Sequence, residues 1–167
     1  KPTRRNLIDV LWGKDRPTPP DGPIVPHPIK YSGRAAETKI AAVQKILKDA
    51  GHDAVVLTSP DSVCWLFNIR GSDVAHNPVV LAFAIVPASG KPELFVTAKR
   101  LTREAVAQLD GAAKISPPSA LKARVQALRK AGRRVRVDAD RAAWWFSRAL
   151  GKSAVRGDDP CVAMKAI

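Results

Sequence analysis

Cysteine is almost missing from this sequence, which has only Cys64 and Cys161 in 167 residues. Two thiols cannot build a disulfide scaffold. Each sits among apolar neighbours, so both are read as small buried groups in a reducing, cytoplasmic setting. Histidine is scarce too. His27, His52 and His76 fall in a proline-rich segment, at a helix end and in a loop, and no pair has the spacing of helix-borne or finger-type metal ligands. No apolar run reaches the roughly 18 residues that a bilayer span requires. Lys1 to Arg5 are basic, but Asp9 breaks the apolar stretch behind them and no small-residue cleavage site follows, so no signal peptide is expected. No Gly-rich loop follows a strand and no serine sits in a Gly-x-Ser-x-Gly elbow, which leaves phosphate-loop and elbow-hydrolase chemistry without a basis. The chain starts without Met and stops at Ala166-Ile167 without a cap or polar tail, so a fragment of a longer protein is expected.

What the chain does have is positive charge. Lysine and arginine number 28 against 15 acids, a formal net charge of +13. A surplus of this size attracts polyanions and acidic partners. The cations are spread over Arg4/Arg5, Lys99/Arg100/Arg103, Arg129/Lys130 and Arg133/Arg134/Arg136, mostly at helix ends and turns, where they suit solvent or the helix dipole. A solvated basic face, an acidic partner domain and a nucleic-acid surface all fit this pattern. Hydrophobic residues at 46% and charged residues at 26% are ordinary globular usage.

Residues 1–34 read as a strap. Asn6 to Gly13 is a short apolar piece, helical or extended, and the prolines from Pro17 to Pro28 leave no room for a helix or a central strand. Leu11, Trp12, Ile24 and Val25 are its expected anchors. A domain over residues 35–156 follows. Ile40, Val43, Leu47 and Ala50 recur at helical spacing, with Gly51 placed to close the helix. Asp53 to Thr58 is a buried strand. Ser59-Pro60-Asp61 supplies a capping hydroxyl, a proline for the first turn and an acid for the dipole of a helix through Phe67. Asn68 to Pro78 is a loop. Val79 to Val86 and Glu93 to Thr97 form a hairpin about Ser89-Gly90. Helices over Thr102 to Leu109, from a start at Ser116-Pro117 to a close at Gly132 with Leu121, Val125 and Leu128 as the apolar stripe, and over Ala142 to Leu150 alternate with strands at Lys114 to Ser116, Arg134 to Asp138 and Ser153 to Val155. This alternation predicts an α/β fold, a mixed β-sheet flanked by helices on both faces.

Catalytic chemistry has little to build on. Asp138 and Asp140, at a strand end, are the acids that an RNase H-like nuclease would use to hold Mg²⁺, with Glu93 and Asp53 as further acids. The plainer expectation is that one of the pair caps the next helix. Trp144 and Trp145 offer either a base-stacking platform or core packing. The richest segment is Trp65 to Val79, a polar loop between apolar anchors that carries Asn68, Arg70, Asp73, His76 and Asn77. Arg70 and Asp73 are expected to pair, and Asn68 and Asn77 to cap turns.

That segment carries a resemblance. Trp65-Leu66-Phe67-Asn68-Ile69-Arg70-Gly71-Ser72-Asp73 resembles a signature of the second, non-catalytic domain of Xaa-Pro aminopeptidases (aminopeptidase P), and His76-Asn77-Pro78-Val79 continues it. Asp9 to Trp12 with Arg16-Pro17 is similar to the strap joining the family's first two domains. Tyr31 to Ile40 is similar to the opening of the second domain, and Asp159-Pro160-Cys161 with Lys165-Ala166-Ile167 to the lead into the catalytic one. Cys64 stands where the family more often has Ala. The resemblance implies a creatinase/prolidase-type N-terminal domain with an RNase H-like sheet. Its parent would be a cytoplasmic, homo-oligomeric hydrolase that removes a residue from peptides with proline second. The two divalent metals, usually manganese, would belong to a catalytic domain beginning after Ile167, with residues 157–167 as the linker towards it. This chain would then hold no cofactor and hydrolyse nothing alone. Its partners would be the catalytic and first domains of the same parent, and indirectly short Xaa-Pro peptides. Asn68, Arg70, Asp73 and His76 are the candidate contacts to peptide or partner domain. Creatinase-type hydrolases share the domain and remain a related possibility. The alternative from a different class is a basic nucleic-acid-binding or RNase H-like nuclease domain.

Overall fold

The computed structural model describes residues 6–165, so Lys1 to Arg5 and Ala166-Ile167 lie outside the described residues. The first helix, α1 (Leu7–Trp12), starts where the Asn6 Oδ1 accepts the Ile8 N–H at 3.0 Å and ends at Gly13, at φ 49°. None of its residues is buried. Leu11 is 81% exposed and Trp12 and Val25 are exposed as well, so three of the four expected strap anchors do not bury their side chains among the described residues. Ile24 is the exception among the four. It is fully buried, donates its N–H to the Arg100 carbonyl at 2.7 Å and accepts the Thr102 N–H at 3.0 Å. Next come β1 (Val25–Pro26) and α2 (Ile29–Ser32). This short helix forms where the prolines were expected to forbid one. Pro28 occupies its N-cap, a position whose N–H lies outside the helical ladder.

In α3 (Ala36–Asp49), Ala36, Lys39, Ile40, Val43 and Leu47 form one buried stripe, and Gly51 lies just beyond its end at φ 63°. All four residues of β2 (Ala54–Leu57) are buried. Val55 and Leu57 join the core under α3, while Ala54 and Val56 join a second core on the other face. A strand covered on both faces can be apolar throughout, and this one is. Then follows α4 (Pro60–Phe67). Its Ser59 N-cap makes no side-chain cap hydrogen bond, contrary to expectation, and Asp61 in the first turn is left to meet the helix dipole. The residues after it do not start as a loop. Asn68 takes the left-handed conformation and turns the chain into β3 (Ile69–Arg70), antiparallel to β1.

The remaining elements are β4 (Phe83–Pro87), β5 (Glu93–Phe95), α5 (Arg103–Ala112), β6 (Lys114–Ser116), α6 (Leu121–Lys130), β7 (Val135–Val137), α7 (Trp144–Leu150), β8 (Ala154–Arg156) and α8 (Pro160–Lys165). Six strands form one sheet in the order β6-β5-β4-β2-β7-β8. β4 is antiparallel to both its neighbours, and the other pairs are parallel. The fold is therefore a mixed α/β sheet with helices on both faces. Val43, Leu47 and Leu109 belong to the core on one side; Val125, Phe146 and Leu150 belong to the core on the other. In α7 Phe146 and Leu150 are buried, and Ala149 packs against the same core. Trp144 is 66% exposed with the Arg148 guanidinium 5.5 Å from its ring centroid, so the core packing expected of it does not occur. α8 closes the fold, with Cys161 in the first core and Lys165 bound to Asp61 and to the Ser62 hydroxyl. No helix among the described residues is long and apolar enough to cross a membrane.

This layering predicts the cost of core truncation. Leu47→Ala, at a fully buried site, should destabilise the domain by about 2–5 kcal/mol, while Val106→Ala on an exposed helix position should stay within about 0.5 kcal/mol. Urea unfolding midpoints at constant slope would measure both, and equal shifts would contradict the assigned core.

Candidate functional site

Asn68 organises the site. Only Gly, Asn and Asp enter the left-handed region with ease, and Asn68 does so at φ 52° to cap α4, its N–H donating to the Cys64 carbonyl. Its Oδ1 accepts from Lys39 Nζ at 2.6 Å and its Nδ2 donates to the Arg34 carbonyl at 2.9 Å. Its own carbonyl accepts from Gln108 Nε2 and from the His27 N–H, both at 2.7 Å. One buried residue, through its side-chain amide and its backbone, thus ties α3, α4, α5 and the strap together.

Lys39 is 1% exposed. Its ammonium donates to the Trp65 carbonyl at 2.9 Å as well as to Asn68, and it stands 4.5 Å from the Trp65 ring centroid. No carboxylate pairs with it among the described residues. Burial pushes its pKa below the ordinary lysine value, and the Arg70 and Arg34 charges push it further. His27 is lowered for the same reasons, by burial first and then by Arg70 and Lys39.

Arg70 sits in β3 opposite Val25, half-buried, and its Nη1 donates to the Ile69 carbonyl at 2.9 Å. The expected pairing with Asp73 does not form. The Asp73 carboxylate is buried against Arg100 and accepts the Leu81 N–H at 2.8 Å, while Arg100 Nε donates to the Gly22 carbonyl at 2.9 Å. Ladder-like contacts hold the intervening chain, with the Gly71 N–H reaching the Pro78 carbonyl at 3.5 Å and the Asp73 N–H reaching the Val79 carbonyl at 3.2 Å. A Cβ on Gly71 would lie 2.7 Å from Val80 Cγ2 and 3.2 Å from the Val79 oxygen, so the crossing requires glycine. At the tip, the Asn77 N–H donates to the Val74 carbonyl at 3.1 Å, and His76 is exposed at φ 60°. Of the two expected asparagine caps, Asn68 caps α4 through its backbone N–H, and Asn77 closes its turn through its backbone N–H as well.

The four predicted site residues therefore divide. Asn68 and Asp73 are buried supports, Arg70 is half-buried, and His76 is presented outward. Pattern reading missed Lys39, His27, Gln108 and Arg100. A signal for Lys39 was available, because it is three residues after Ala36 and four before Val43, on the apolar stripe of α3.

The acids weighed for metal chemistry do other work. Asp138 accepts from the Asp140 N–H at 3.1 Å, the Asp159 N–H at 3.0 Å and Arg141 at 2.9 Å. Asp140 pairs with Arg156 at the surface. Glu93 is held by the Ser116 hydroxyl at 2.6 Å and by Arg124 and Lys114, and Asp53 accepts the Arg134 N–H at 2.7 Å. Among the described residues no three His, Cys, Asp or Glu side chains gather as a metal would need.

Comparison with known proteins is consistent across sequence and structure. Residues 15–167 match the Creatinase/Prolidase N-terminal domain family. The "Probable Xaa-Pro aminopeptidase P" of Aspergillus fumigatus is 37% identical over 154 residues, which is 88% of this chain and 23% of that protein. Its namesake from Aspergillus oryzae is 35% identical over 155 residues, covering 89% and 24%. The chain thus spans about a quarter of the length of these relatives. Among solved structures, the X-prolyl aminopeptidase of Caenorhabditis elegans, described as a cytosolic enzyme with a di-nuclear active site, superposes with a TM-score of 0.88 at 24% identity, over 97% of this chain and 27% of its own. The N-terminal domain of the cytoplasmic peptidase PepQ from Mycobacterium tuberculosis shares the fold at a TM-score of 0.55 and 14% identity, over 77% and 98%.

The Asp138 network predicts a pH signature. Burial alone would raise its pKa, but the hydrogen bonds from Asp159, Arg141 and Asp140 outweigh burial and hold it below the ordinary aspartate value of 3.8. A lowered carboxylate stabilises the fold above 3.8, and that contribution is lost as pH falls through the folded-state value. Asp138→Asn should therefore cost about 1–3 kcal/mol at neutral pH, with the gap to the parent chain narrowing below pH 3.8. A gap independent of pH in thermal melts would reject the role.

Proposed function

This chain belongs to the creatinase/prolidase N-terminal domain family, and from that premise we propose that it is a non-catalytic accessory domain of an Xaa-Pro aminopeptidase-like metallopeptidase. It packs on the catalytic domain of its parent and narrows the approach to the active site. The parent removes an N-terminal residue from short peptides with proline second, using two divalent metal ions, manganese by family precedent, that belong to the catalytic domain. It is a homo-oligomer of the cytoplasm, and its catalytic and first N-terminal domains are the immediate partners of this one.

The observation that carries the reading is the construction of the loop after Asn68. Its base is clamped by Asp73 against Arg100 and Leu81, and its tip presents His76 at positive φ. A rigid base with a projecting tip is how a scaffold presents contacts to something outside itself. The tip is also short, so it obstructs by position and needs no lid-like movement. Asp138 favours this reading over a nuclease, because its oxygens already take two backbone N–H groups and a guanidinium.

A glycine at position 76 accepts φ 60° without strain. In the full-length protein His76→Gly should raise KM for an Xaa-Pro tripeptide by about tenfold, equivalent to about 1.4 kcal/mol, with Tm unchanged. It should also reduce the preference for short over long peptides. Steady-state kinetics on a peptide length series would test this, and wild-type values throughout would remove the tip from the access path.

A further inference from the structure

Three cations, Arg34, Lys39 and Arg70, and the basic but neutral His27 gather about Asn68, with no acid paired to any of them among the described residues. Arg34 binds its amide through a carbonyl, Lys39 reaches its oxygen, Arg70 follows two residues later, and His27 is joined to its backbone. None of these four side chains forms an ion pair among the described residues, whereas Asp53, Asp61, Asp73, Glu93 and Asp138 are each matched to cations elsewhere. Lys39 is buried, so its field reaches the others with little screening by water. Like charges held together are unfavourable until an anion joins them.

The surroundings point to the kind of anion. Val25 lies opposite Arg70 and is exposed. Ile29 is exposed too, and Tyr31 is 68% exposed with its ring stacked on His27 at 5.9 Å. An arginine paired with an exposed valine, on a strap that also exposes an isoleucine and a tyrosine, has the composition of a protein interface centre. The relatives are about four times longer than this chain, which supplies about 23% of their length.

We propose that Arg70, flanked by Arg34 and His27, receives the carboxylate of an aspartate or glutamate from the rest of the longer protein, with Tyr31 and Ile29 packing around the contact. The inference rests on the accessory-domain reading and adds the chemistry of the partner. The downward shifts of His27 and Lys39 come first from burial and second from neighbouring positive charge, and only the second part is what such a carboxylate would offset.

The test uses the full-length protein carrying Arg70→Lys, which keeps the charge and supplies an amine. Zero-length carbodiimide coupling joins that amine to a touching carboxylate with loss of one water, and peptide mass spectrometry identifies the acid. The expected product links position 70 to an aspartate or glutamate outside residues 1–167. A link only to acids within these residues, or none, overturns the proposal. Arg34→Ala, at an exposed position, provides a second measurement that leaves β3 untouched. It should raise the rate of proteolytic cleavage between domains by about tenfold, while the KM ratio of free-acid to amidated peptides stays constant. A change in that ratio with wild-type cleavage would assign the cations to the substrate's own carboxylate and also overturn the proposal. A full-length protein that hydrolyses no Xaa-Pro peptide would remove the functional reading, and the cross-link would still decide the carboxylate contact.

Discussion

A lysine ammonium in the interior, without a counter-ion among the described residues, is the condition around which this structure is arranged. Moving a charge out of water costs several kcal/mol, and Lys39 is compensated by a carbonyl, an amide oxygen and the face of an indole instead of a carboxylate. Those three partners constrain much else. Trp65 and Asn68 must lie at the end of α4, Asn68 must be left-handed, and α3 must pack so that Lys39 meets them. Asn68 also holds the Arg34 carbonyl and the strap. Networks of this kind are rigid when every member is satisfied and costly when one is missing, so the Asn68 neighbourhood is a fixed platform.

A second constraint holds the segment that leaves this platform. Arg100 binds Asp73 and the Gly22 carbonyl at once, bringing the strap and the loop base to one guanidinium. A planar group with donors in fixed directions suits such a junction better than an ammonium would. Because Asp73 is committed to Arg100, Arg70 is left without an acid among the described residues. The arrangement that stiffens the loop is therefore also what leaves a cation available for a partner.

Charge distribution gives the +13 surplus a structural meaning. Several acids are committed within the domain: Asp138 gathers backbone N–H groups, Glu93 bridges β5 to β6 and α6, and Asp53 meets the turn before β7. Cations remain in excess on the outside. For a domain that spans about a quarter of its relatives' length, such a surface is suited to contact with acidic neighbours, and the exposed apolar residues of α1 and α2 are suited to contact with apolar ones.

Sequence by itself determined the layered α/β fold. The apolar stripe of α3, the unbroken apolar run of β2 and the turn residues at Ser89-Gly90 are local signals, and periodicity and turn chemistry act over a few residues. It also marked Asn68 to Asn77 as the segment to watch. What tertiary structure decided was pairing. That Asp73 belongs to Arg100 and not to its near neighbour Arg70, that Leu11 and Trp12 find no cover among the described residues, and that Trp144 faces outward were not legible in the order of residues. Each depends on which distant segments meet, and 27 residues separate Asp73 from Arg100. A side chain's partner is set by where the backbone carries it in space, and local pattern reports on spacing along the chain only.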